Sequence, residues 1–203
     1  MYIPKNMRMD DDRQQQQFIQ QFGFASLVSA DLQVSHLPLS WDDQGDKPIL
    51  LGHMARANPH WKNLDGQKVK ALFHGPHSYI SPGWYVAPPA VPTWNYAAVH
   101  VSGIFYLLDD NQLQHSLNAL LQQYEPALLE NEVIIPASYR EKLSHAIVGF
   151  KIDIDQIEGK QKLGQHRSND DQLGVAKGLQ SSQHEDAQSL LNYMRQIGVG
   201  LGI

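Results

Sequence analysis

The chain has 203 residues, no cysteine, 42% hydrophobic and 18% charged residues, a formal net charge of −5 and a pI near 6.0. These values predict one globular domain, or one domain with an appendage. The missing thiols exclude disulfides, iron–sulfur clusters, thiolate zinc sites and a cysteine nucleophile, and the acidic balance does not announce the basic face of a nucleic-acid binder.

The opening Met1-Tyr-Ile-Pro-Lys-Asn-Met-Arg8 lacks the apolar run of a signal peptide. The longest strongly apolar run, Ile104 to Leu108, is too short to cross a bilayer, so a cytoplasmic protein is expected. Asp10 to Asp12 open a first helix, with Phe18, Ile19 and Phe22 as its apolar edge and Gln14 to Gln17 as a solvated face. Phe24 to Ala30 and Gln33 to Leu39 read as two strands joined around Asp31, with Pro38 near an edge or an end. Pro48 to Met54 and Val69 to His74 are the third and fourth strands, and Asn58-Pro59 starts a short helix between them. Ala97 to Leu108 is a long strand with Gly103 at a bend or bulge.

Leu113, Leu117, Leu120, Leu121 and Tyr124 recur at helical spacing, and Pro136 to Leu143 adds a second short helix. Val148, Phe150, Ile152 and Ile154 alternate with Gly149, Lys151, Asp153 and Asp155, the pattern of a half-buried antiparallel strand. Two helices close the chain, at 171–179 and along the stripe Ala187, Leu190, Leu191, Met194 and Ile197. About six strands in one sheet system with peripheral helices predict an α+β, barrel-like fold. The domain reading is 1–180 for the barrel, with 181–203 as a C-terminal helix and glycine-rich tail packed on it.

The richest chemistry lies in Gly52 to Trp61, Tyr79 to Tyr85 and Val91 to His100, which hold three of the four tryptophans. Each segment mixes aromatic rings with hydroxyl, amide, imidazole or guanidinium groups. Buried polar groups cost free energy unless paired, so the mixture suits a pocket for a flat, polar-edged, phosphorylated ligand better than an ordinary core.

The blocks Tyr2-Ile-Pro-Lys5, His36-Leu-Pro-Leu39, Gly52-His53 with Ala55-Arg-Ala-Asn-Pro59, Tyr79-Ile-Ser-Pro82, Val91-Pro-Thr-Trp-Asn-Tyr96 and Glu158-Gly-Lys-Gln-Lys-Leu163 resemble the PaiB family. The resemblance runs to about Leu179. It implies a flavin-reductase-like, FMN-binding split β-barrel of the pyridoxamine-phosphate-oxidase-like class. It also implies a homodimer with FMN at the subunit interface and a negative transcriptional regulator. The chain departs from the family pattern at Asn6-Met7, in the short uncharged Val86 to Ala90 connection, and at Gly164 and His166.

Through this resemblance the expected cofactor-binding residues are Arg56, Asn58, Ser81, Trp84, Tyr85, Thr93, Trp94, Asn95, Tyr96, Lys162 and Gln165. Each has a plainer reading. Arg56 would bind phosphate through its planar guanidinium, or pair with a carboxylate at the end of the third strand. Ser81 with Trp84 and Tyr85 would meet the ligand, or form a rigid turn that plugs the barrel mouth. Thr93 to Tyr96 would edge and wall the flavin rings, or make a dimer contact. Lys162 and Gln165 belong to the basic 160–167 stretch, whose default is a solvated loop.

Ten histidines show no metal-ligand spacing, and His53 and His100 read as hydrogen-bonded barrel residues. The Gly198-x-Gly200-x-Gly202 run reads as a flexible tail, because a dinucleotide fingerprint needs a strand before it and a helix after it. No nucleophile elbow or P-loop occurs, and no catalytic residue is nominated. Three functions stay open: a regulator that reaches promoter DNA directly or indirectly, a flavin-dependent oxidoreductase with an indirect regulatory effect, and a cofactor-free interaction dimer.

Overall fold

The computed structural model describes residues 1–131 and 133–203. Its strands are β1 (Phe24–Ser29), β2 (Val34–Asp42), β3 (Ile49–Ala55), β4 (Lys68–Ile80), β5 (Thr93–Leu107) and β6 (Ile147–Lys162). They close into a barrel in the order β1-β2-β3-β6-β5-β4. The helices are α1 (Asp12–Gln21), α2 (Asp110–Tyr124), α3 (Ala137–Ser144), α4 (Asn169–Ser181) and α5 (Glu185–Ile197). No helix among the described residues is long and apolar enough to cross a membrane.

The chain forms two compact units, and the long strands β4, β5 and β6 contribute residues to both. The first unit, Gln16–Phe73 with His100–Ile157, holds β1 to β3 and helices α2 and α3. Its core is apolar: Leu27, Leu50 and Ile152 are fully buried, and the rings of Phe105 and Phe150 stack 4.5 Å apart. Gly52 makes room for Phe150, since a Cβ there would lie 2.7 Å from its ring tip. Gly103 serves another close approach, because a Cβ would fall 2.2 Å from the Asp153 carbonyl oxygen. It is a contact glycine inside β5.

Pro38 sits inside β2, at the changeover where β1 pairing ends and β3 pairing begins at Leu39. A residue with no N–H is tolerated there because no ladder is interrupted. The same physics lets β4 run straight through Gly75-Pro76: β1 pairs with it only up to Phe73. The strand read as ending at His74 therefore continues to Ile80. Helix α2 starts with a reciprocal cap between Asp109 and Gln112, which satisfies two orphan N–H groups.

The second unit comprises Met1–Gln15, His74–Val99 and Glu158–Ile203. Met9, Ile80, Leu163, Leu179 and Leu190 form its buried centre. Met9 lies over Gly159, and Arg8 bridges to Lys160, so the N-terminal segment is tied to the end of β6. Gln15, expected on a solvated face, is buried and donates to the Met9 carbonyl at 2.7 Å. The glycine tail is packed rather than loose. Gly198, Gly200 and Gly202 have φ of +67°, +77° and +73°, and the Gly202 N–H donates to the Gln172 side chain at 3.2 Å. Only glycine takes such φ values without strain, which explains the spacing.

Candidate functional site

In the second unit β4 ends at Ile80, and the Ser81 hydroxyl accepts the Gly83 N–H at 3.2 Å to cap the turn Pro82–Trp84. The Trp84 ring then lies flat against α4. A Cβ at Gly178 would fall 2.2 Å from that ring, and one at Gly174 would fall 2.1 Å from the Trp84 carbonyl oxygen. Tyr85 follows, with the Arg167 guanidinium 4.5 Å from its ring centre. The connection beyond is anchored by Asp171, whose Oδ1 accepts the Val86 and Ala87 N–H groups at 2.9 and 3.3 Å. Burial would raise the Asp171 carboxyl, but those two N–H groups, the Ser168 hydroxyl and Arg167 outweigh it and hold it below its ordinary value.

Alternation along β5 sends neighbouring residues to opposite faces. Trp94 is 48% exposed, beside His77 at 5.8 Å between ring centres and edge-on to Tyr79 at 6.3 Å, whereas Asn95 is only 2% exposed. The Lys162 amine, at the end of β6, donates to the Thr93 hydroxyl and to the Trp94 carbonyl at 2.7 Å. Lys160, two residues earlier, donates to the Tyr2 carbonyl at 3.1 Å and lies between the rings of Tyr2 and Tyr96, 5.4 and 5.3 Å away. Burial, then repulsion from Lys160 and Arg167, lowers the Lys162 pKa; burial, Arg167 and Lys162 lower that of His166. The Gln165 amide is fully committed to the chain. It accepts the Leu163 N–H at 2.8 Å and donates to the carbonyls of Gln161 at 2.7 Å and Asn6 at 2.9 Å.

Arg56 and Asn58 belong to the first unit. Arg56 Nε and Nη2 donate to the carbonyls of His145 and Ile147, both at 2.9 Å. Its partners are therefore backbone oxygens, not the carboxylate of the plainer reading. Nη1 has no hydrogen-bond partner among the described residues. Asn58 caps the turn Pro59–Asn63, accepting the His60 N–H at 3.0 Å while its amide donates to the Ser35 hydroxyl at 3.0 Å. The buried His60 joins Ser35 at 2.8 Å and Ser29 at 2.9 Å, and the Ser29 hydroxyl donates to Asp31. His53 has no hydrogen-bond partner among the described residues, contrary to expectation.

Nine of the expected residues, from Ser81 to Gln165, thus fall in one unit, and two fall in the other. The sequence reading left out Lys160, Arg167, Tyr79, His77 and Asp171. Lys160 and Lys162 had a signal: spaced by two, they are what a strand continued to Lys162 puts on one face, and the basic stretch begins as strand rather than loop. Arg167 and Asp171 had none, since their partners lie 82 and 85 residues away in sequence. The side chains of the second unit suit a phosphorylated flavin. Crowded cations offer donors to a phosphate, and exposed Trp94 and Tyr79 offer ring faces.

The family described as "Putative FMN-binding domain" matches residues 1–156. The barrel is accordingly an FMN-binding split β-barrel, and FMN is its cofactor. Protease synthase and sporulation protein PAI 2 of Bacillus subtilis (strain 168) is 32% identical over 211 residues, covering 96% of both chains. The chain belongs to the PaiB family. Among solved structures, flavocytochrome Anf3 from Azotobacter vinelandii superposes with a TM-score of 0.58 at 14% identity, over 80% of this chain and 73% of that one. The FAD and heme binding protein from Mycobacterium smegmatis gives 0.54 at 16% identity, over 78% and 74%. At these identities the likeness is one of fold.

Proposed function

We propose that this protein is a cytoplasmic, homodimeric, FMN-binding negative regulator of transcription. Its FMN phosphate is held by Lys162 with Arg167, and its flavin rings lie against Trp94 and Tyr96, with Thr93 and Tyr85 completing the wall. The observation that carries the reading is the partly buried Lys162 amine, which donates to the Thr93 hydroxyl and the Trp94 carbonyl and is repelled by Lys160 and Arg167. A dianionic phosphate relieves that repulsion, and charge-assisted hydrogen bonds to it are the strong kind. Arg56 is the weaker candidate for this role, because it belongs to the first unit, which holds only Asn58 of the other expected residues. Ser81, Trp84 and Gln165 support the wall through the turn, α4 and the loop that they hold. When bound, the flavin supplies a redox-active ring, while the protein binds it, orients it and screens it from water.

The net charge of −5 opposes direct DNA contact, so any operator contact must use basic residues gathered by the dimer, such as Lys62, Lys68, Lys70 and the 160–167 stretch. Light scattering is expected to give the mass of two chains. Retention of the chain's own upstream DNA at low salt should weaken steeply as salt rises. A monomer that retains no DNA even at low salt contradicts the regulator reading. Rapid oxidation of reduced nicotinamide by that same flavin-loaded sample would favour the oxidoreductase instead.

A further inference from the structure

Helix α5 ends at Ile197, and Gly198 turns the chain with a φ of +67° while the Val199 N–H donates to the Met194 carbonyl at 3.1 Å. The glycine tail then lies against the segment 163–169, which carries Arg167. It meets both ends of that segment. A Cβ at Gly200 would fall 2.3 Å from the Leu163 carbonyl oxygen, and one at Gly202 would fall 2.2 Å from that of Asn169. Gln172 of α4 links the tail to the segment: its Oε1 accepts the Gly202 N–H at 3.2 Å, and its Nε2 donates to the Arg167 carbonyl at 2.8 Å. One amide thus ties the tail to the backbone of Arg167. The Arg167 guanidinium itself has no hydrogen-bond partner among the described residues and rests on the Tyr85 ring. The way its backbone is held therefore governs where its donors point.

We propose that Gln172 and the glycine tail 198–203 position Arg167 for the FMN phosphate, an inference that rests on the flavin site proposed above. A guanidinium meets phosphate through a planar fork of donors, so its worth depends on orientation as well as on charge. A fork held in place before the ligand arrives loses less freedom on binding than one on an unanchored segment. The tail has the form this task requires: Gly200 and Gly202 take φ values of +77° and +73°, and neither leaves room for a side chain against the carbonyl it covers. All of these residues lie beyond residue 156, where the match to the FMN-binding family ends. Gln172 is a positioning residue here, acting on the phosphate only through Arg167.

The test titrates FMN and riboflavin into wild type, Gln172→Met and Gly202→Ala by flavin fluorescence, and follows hydrogen exchange of residues 163–171 in the flavin-free proteins. Gln172→Met removes both hydrogen bonds at similar side-chain length, and Gly202→Ala displaces the tail through one added Cβ. Both variants should exchange faster over 163–171. Their FMN affinity should fall about three- to tenfold, the cost of ordering a released side chain, while riboflavin affinity stays within about twofold. In an Arg167→Met background, Gln172→Met should reduce the FMN preference no further. Either single variant decides the matter if the other fails to fold. Unchanged exchange, equal weakening of FMN and riboflavin, or a full additional loss in the Arg167→Met background would overturn the inference. An FMN preference that disappears in Lys162→Met but persists in Gln172→Met would overturn the positioning role alone. A wild type with no FMN preference would overturn the flavin site and this inference together.

Discussion

His60 is wired so that its neutral form satisfies its neighbours. The Ser29 hydroxyl donates to Asp31 and so accepts from the imidazole Nε2–H, which leaves Nδ1 to accept the Ser35 hydroxyl. Protonation would put a proton on Nδ1 and force the Ser35 hydroxyl, which already accepts the Asn58 amide, to turn from donor to acceptor in a buried site. Burial lowers the pKa of His60, against a small opposing pull from Asp31, and burial lowers those of His53 and His166 as well. Groups whose folded pKa is depressed contribute stability that is fully present above the unfolded histidine value, about 6.5, and lost as the pH falls from there through the folded values. Thermal unfolding is therefore expected at progressively lower temperature as the pH drops from 8 to 5. His60→Gln should show a lower Tm throughout and a shallower slope. A wild-type Tm independent of pH over that range contradicts this account of the histidines.

At the scale of elements, α4 is shaped by what it must accommodate. Gly174 and Gly178 weaken a helix on propensity alone, by about 1 kcal/mol each relative to alanine. They are there because Trp84 occupies the space of both missing side chains. Gly178→Ala should accordingly destabilise by about 1–2 kcal/mol net, since overpacking costs about 1–3 kcal/mol and exceeds the propensity gain. Calorimetry should read this as a Tm lower by about 3–6 °C; a raised Tm would mean that the Trp84 contact is loose. The helices and most strands were legible because hydrophobic period and caps are local signals, as in the Leu113 to Tyr124 stripe behind Asp109. The continuation of β4 past Pro76 and of β6 to Lys162 was not. Which ladder bonds a proline interrupts depends on where the neighbouring strand stops, and no local pattern carries that. Ser81 and Thr93 stand out in the sequence as polar groups in aromatic company and Lys162 only as part of a basic stretch, whereas the commitment of Gln165 and Arg56 to backbone carbonyls appears only once distant loops are brought together.

For the whole molecule, an acidic chain concentrates three cations, Lys160, Lys162 and Arg167, within one short stretch of the unit that also exposes Trp94 and Tyr79. That local reversal of sign against a net charge of −5 is the electrostatic basis of the flavin reading, because it favours an anion at one place and discourages it elsewhere. Riboflavin and FMN differ only in the phosphate, so their comparison isolates this effect. The decisive measurement is flavin-fluorescence titration of wild-type protein and Lys162→Met with both ligands. The phosphate should make FMN bind wild type about 10- to 100-fold tighter than riboflavin, the range expected for hydrogen bonds to a charged group, and most of that difference should vanish in Lys162→Met. Equal affinity of the wild-type protein for FMN and riboflavin, or an undiminished preference for FMN in Lys162→Met, would contradict it.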